Sequence, residues 1–106
     1  MLSGAVSFNG VEGVPGDDAI SFGQHPNFEI TGSITLEAWI KPTAINSPWD
    51  GIVGNLFDTN GVEHSGYGLH LSNNGTTDSM VRFAFVVNDV IQIVNSPNDA
   101  INLNEW

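Results

Sequence analysis

The chain has 106 residues, of which 41% are hydrophobic, a size and composition that suit one domain with one modest core rather than a disordered segment. Lys and Arg total 2 against 12 Asp and Glu, a formal charge of −10, so there are too few cations to neutralise nucleic-acid phosphates or grip an anionic membrane surface. Cysteine is absent, which excludes disulfides, thiolate zinc sites and a thiol nucleophile.

No apolar run approaches the ~20 residues of a membrane helix. Met1-Leu2-Ser3-Gly4-Ala5 lacks the basic start and long apolar stretch of a signal peptide. A single domain over residues 1–106 is expected, without linker, internal repeat or low-complexity tract. What recurs is alternation of apolar and polar residues between Gly, Asn, Asp and Pro, with no convincing helical period. Ala5 to Phe8 and Ala19 to Phe22 are short candidate strands. Ser33 to Lys41 is the clearest: Ile34, Leu36, Ala38 and Ile40 make one face, Thr35, Glu37, Trp39 and Lys41 the other, and Pro42 ends it. Ile52 to Phe57 is a further short candidate. Tyr67, Leu69 and Leu71 then alternate with Gly68, His70 and Ser72. Asn73-Asn74-Gly75 opens a polar loop through Asp78. Val81, Phe83, Phe85 and Val87 oppose Arg82, Ala84 and Val86, and Ile91 and Ile93 flank Gln92. Asn88-Asp89 suits a tight hairpin, since both residues tolerate positive φ. The pattern predicts an all-β antiparallel sandwich.

The face opposite the apolar alternation collects Glu37, Trp39, His70, Arg82 and Gln92 on separate strands. On neighbouring strands these would surround an aromatic plate with polar groups, as sugars require: C–H faces pack on the ring and hydroxyls bond at its edge. They are the candidate carbohydrate-binding residues. The plainer expectation packs Trp39 beneath the N-terminal segment and pairs Glu37 with Arg82. Calcium is a second candidate ligand, because Asp17, Asp18, Asp58 and Asn60 offer hard oxygen donors on turn-rich loops. The run from Asp58 is similar to part of an EF-hand loop, but Leu69 falls where the last carboxylate belongs, and Asx turns account for both sites equally simply. His25, His64 and His70 have no zinc spacing. Asn74-Gly75-Thr76 fits a glycosylation sequon. Catalysis is not expected: no Gly-x-Ser-x-Gly elbow occurs, and Glu37 stands alone on its strand where glycoside hydrolysis needs two carboxylates.

Five stretches in order carry a family resemblance. They are Ala5-Val6-Ser7-Phe8-Asn9-Gly10; Asp17-Asp18-Ala19-Ile20; Ile34 to Pro42; Gly66-Tyr67-Gly68-Leu69-His70-Leu71; and Leu103-Asn104-Glu105-Trp106. The third is very close to an "ITLEAWVKP" strand, and together they resemble laminin-G-like domains of the concanavalin-A-like lectin/glucanase jelly-roll superfamily. Val11 to Gly16 lengthens the first loop relative to that pattern. The resemblance implies a jelly roll and a non-catalytic, lectin-like carbohydrate-binding module of a larger exported protein, extracellular or at the cell surface. Some relatives bind calcium through loop Asp residues. An adhesion or assembly module is the alternative function, and a remnant of a glycan-degrading enzyme a third. Related glucanases carry Glu-x-Asp-x-x-Glu on one strand, and this chain has no such run. Relatives continue past the position of Trp106 into further strands, so the resemblance also implies an incomplete sandwich whose edges and apolar surface are completed by a homo-oligomer.

Overall fold

The computed structural model describes residues 4, 6–8, 20–23, 25–59, 62–73 and 79–106, with the backbone alone for 57–59 and 62–64. Among these residues the regular structure is all β apart from one 3-10 turn at Pro26–Phe28. The strands are β1 (Asp50–Gly54), β2 (Phe57–Thr59), β3 (Val62–Ser65), β4 (Tyr67–Ser72), β5 (Met80–Val87) and β6 (Val90–Asn95). β1, β4, β5 and β6 form a four-stranded antiparallel sheet in the order β1-β4-β5-β6, and β2 pairs with β3. This all-β, antiparallel architecture agrees with the expected concanavalin-A-like fold class. No helix among the described residues is long and apolar enough to cross a membrane.

The alternation of β4 and β5 gives the sheet two distinct faces. Tyr67, Leu69 and Leu71 stand opposite Phe85, Phe83 and Val81, and form a face of large side chains. The Phe83 and Phe85 rings lie 5.5 Å apart on it. Gly68, His70 and Ser72 stand opposite Ala84, Arg82 and Met80 on the other face. The buried residues come from both faces: Tyr67 and Leu71 from the first, Gly68, Ser72, Met80, Arg82 and Ala84 from the second. Asn88 and Asp89 adopt φ of 51° and 58°, the left-handed pair that a two-residue hairpin between β5 and β6 demands.

Asn55 ties the start of the sheet to the 3-10 turn. Its backbone N–H donates to the Tyr67 carbonyl (2.9 Å), and its Oδ1 accepts from the Tyr67 N–H (3.1 Å). The Asn55 amide and the Tyr67 hydroxyl both donate to the Phe28 carbonyl, at 2.8 and 3.0 Å. Gly66 turns the chain into β4 at φ +104°, where a Cβ would strike the Asn55 carbonyl.

The clearest expected strand does not form one. Residues 33–41 join no ladder among the described residues. Their alternation survives in part as burial: Ile34, Leu36 and Ile40 are half-buried, while Thr35, Glu37, Trp39 and Lys41 are exposed, and Ala38, expected on the covered side, is exposed as well. Periodicity decides which side of a segment is covered, whereas a ladder also needs a partner strand about 4.8 Å away. This segment instead lies beside the large-residue face, with Leu36 to Trp39 near Leu69 and Val81. Residues 6–8 and 20–22 likewise form no strand. The expected strand at 52–57 is interrupted after Gly54, and the stretch from Asp58 to Glu63, read as a ligand loop, supplies parts of β2 and β3.

Candidate functional site

The loop before β1 is folded by the Asp50 carboxylate. Its Oδ2 accepts from the backbone N–H groups of Asn46 (2.7 Å) and Ser47 (3.4 Å), and its Oδ1 from the Ser47 hydroxyl (2.8 Å). The Ser47 Oγ in turn accepts from the Trp49 N–H at 3.0 Å. This closed turn sets Pro48 and Trp49 over the second face of the sheet. There His70 and Arg82 are cross-strand partners, and Arg82 is opposite Asn95 on β6. The Arg82 guanidinium sits 4.6 Å from the Trp49 ring centroid, donates from Nε to Asn95 Oδ1 (3.1 Å) and from Nη1 to the Pro48 carbonyl (2.9 Å), and is 6% exposed. His70 meets the edge of Trp49 at 5.3 Å. Gly68 leaves it room, since a Cβ there would lie 2.5 Å from His70 Nε2. A guanidinium held this way fastens a loop to a sheet and has little left to offer a ligand.

The other face is different. Residues 36–39 stand off it and leave a hollow of about 590 Å³ lined by Leu36, Glu37, Ala38, Trp39, Leu69 and Val81. Trp39 is 88% exposed, and Glu37, two residues before it, is exposed as well. An indole this exposed, beside an exposed carboxylate and an apolar floor, can stack a flat apolar surface while the carboxylate accepts hydrogen bonds at its rim.

The five candidate carbohydrate residues therefore do not share one surface. Glu37 and Trp39 belong to the layer over the large-residue face. Gln92 is opposite Phe85 on that same face, exposed, with its amide donating to the Val90 carbonyl at 3.5 Å. His70 and Arg82 project from the opposite face. The packing alternative is corrected too: Trp39 is not buried, and Arg82, committed to Trp49, Asn95 and Pro48 across the sheet, is no partner for Glu37. Of the calcium candidates, Asp17, Asp18 and Asn60 lie outside the described residues, as does the Asn74-Gly75-Thr76 sequon. Asp58 is described by its backbone alone, opposite Glu63. Among the described residues no three His, Asp or Glu side chains gather where they could hold a metal ion. Sequence reasoning did not single out Trp49. Its signal was the Ser47-Pro48-Trp49-Asp50-Gly51 turn, in which an acidic residue follows a serine by three positions.

No curated protein and no solved structure matches the chain significantly. A laminin-G-like family model, described as the concanavalin A-like lectin/glucanases superfamily, matches residues 14–106. With a match over most of its length and an antiparallel all-β sheet of the kind that family builds, the chain belongs to the laminin-G-like part of the concanavalin A-like lectin/glucanases superfamily.

Proposed function

We propose that the chain is a non-catalytic, lectin-like module of an exported protein, and that it takes a glycan on the Trp39 plate with Glu37 accepting hydroxyl bonds at the rim. Membership of the superfamily supports a carbohydrate-binding or adhesion module in general. The observation that carries the sharper reading is the exposure of Trp39, 88%, beside a hollow whose volume of about 590 Å³ suits a small ligand. Calorimetric titration of neutral oligosaccharides into the wild type and Trp39→Ala tests it. Binding lost in the variant at an unchanged melting temperature supports the platform; binding retained in full refutes it.

A second reading, adhesion or self-assembly, is favoured by β6. Among the described residues it pairs only with β5, and Val90 and Val94 are 56% and 59% exposed. From Val90 to Asn98 the chain carries no charge, so that edge lacks the charged side chains that deter pairing with another strand. Calcium is a further proposal, on the loop donors Asp17, Asp18, Asp58 and Asn60, with the Asp17-Asp18 loop ahead. A melting temperature higher in Ca²⁺ than in chelator, and equal in Asp17→Ala, is what a site there requires.

A further inference from the structure

Resting on the Trp39 platform, we infer that its ligand class is the uncharged, hydroxyl-rich glycan and that the site rejects uronate- and sulfate-bearing chains. The inference comes from where the cations are. The chain has only two, Lys41 and Arg82, among 12 acidic residues. Arg82 is 6% exposed, on the far face of the sheet, and donates to Asn95 and Pro48 there. It cannot reach a ligand on Trp39 without releasing the Trp49 loop. Lys41 is exposed on the same alternation as Trp39, but Glu37 flanks the plate at equal spacing on the other side, so the ammonium beside the ring is matched by a carboxylate.

Helix N-termini also hold anions. The helical structure among the described residues is one three-residue turn, and His25 Nδ1 already accepts from the Asn27 N–H at its start. A net −10 on a body with a radius of gyration of 14.3 Å repels a polyanion over roughly the ~8 Å screening length of physiological salt, whereas an uncharged sugar crosses that field without cost. The carboxylate of Glu37 suits the same class, since it accepts from hydroxyls and repels carboxylate or sulfate.

The test is calorimetric titration of the whole chain with a panel of neutral hexasaccharides of glucose, galactose, mannose and xylose, beside hexagalacturonate and a heparin-derived hexasaccharide, at low and high salt. The expected result is a neutral hexasaccharide whose affinity is insensitive to salt and lost in Trp39→Ala. The anionic chains should bind about tenfold more weakly or worse at low salt, with the gap narrowing as salt rises. An anionic hexasaccharide that binds as tightly as the best neutral one at low salt, and loses its binding in Trp39→Ala, overturns the inference and leaves the platform standing. Absence of binding by every member of the panel overturns both.

Discussion

Arg82 lays its guanidinium over the ring of Trp49, 4.6 Å from the centroid, and so locks the loop before β1 onto the central strands. The contact joins residues 33 positions apart, and the Arg82 bond to the Pro48 carbonyl reinforces it. It also removes one of the two cations of the chain from the surface. The same arrangement thus fastens the loop to the sheet and leaves Lys41 as the other cation of the chain.

Arg82→Ala strands the Pro48 carbonyl and Asn95 and uncovers Trp49. Urea denaturation should show a loss of about 2–4 kcal/mol. Arg82→Lys should recover less than half of it, because an ammonium lacks the planar fork and stacks poorly. A double-mutant cycle with Trp49→Ala should return a coupling of about 0.5–2 kcal/mol, and a coupling of zero would show that the ring contact is incidental.

Asn55 and Tyr67 share the Phe28 carbonyl, so their substitutions should differ in a defined way. Asn55→Ala removes that bond and leaves the Tyr67 N–H without its side-chain acceptor, at a cost of about 1–3 kcal/mol. Tyr67→Phe removes one hydroxyl bond and should cost about 0.5–1.5 kcal/mol. Equal melting temperatures for the two variants would contradict this ordering.

Gly66→Ala and Gly51→Ala form a matched pair. Gly66 sits at φ +104° with its missing Cβ aimed at the Asn55 carbonyl, while a Cβ on Gly51 meets only open space. The first should destabilise by about 1–3 kcal/mol or more, and the second should stay within about 1 kcal/mol of wild type.

Self-association through β6 predicts a light-scattering mass that rises with concentration. Ile93 lies on that strand opposite Ala84, and Ile93→Lys places a charge on the open edge. The variant should remain monomeric where the wild type does not. A wild type that stays monomeric at every concentration removes the assembly reading.

Much of the sheet was legible in the sequence because its signals are local. The alternation of Tyr67 to Ser72 and of Val81 to Val87 is the pleat itself, and Asn88-Asp89 marks the left-handed turn that joins β5 to β6. What alternation does not encode is pairing. Residues 33–41 keep a more covered side at Ile34, Leu36 and Ile40 without acquiring a ladder partner among the described residues. It also does not say which polar faces coincide: Trp39 and Arg82 read as one surface, yet they lie on opposite sides of the sheet. Trp49 escaped notice because its role depends on the Asp50 carboxylate folding the preceding loop, a side-chain bond with no periodic signature.

The most direct measurement is a titration of the 15N-labelled chain with a neutral hexasaccharide while following the three tryptophan indole N–H resonances. Glycan stacking on the exposed plate predicts that the Trp39 signal shifts saturably, while Trp49, held between Arg82 and His70, and Trp106 stay in place. A saturable shift confined to Trp49 or Trp106, or no shift at all across the neutral panel, would contradict it.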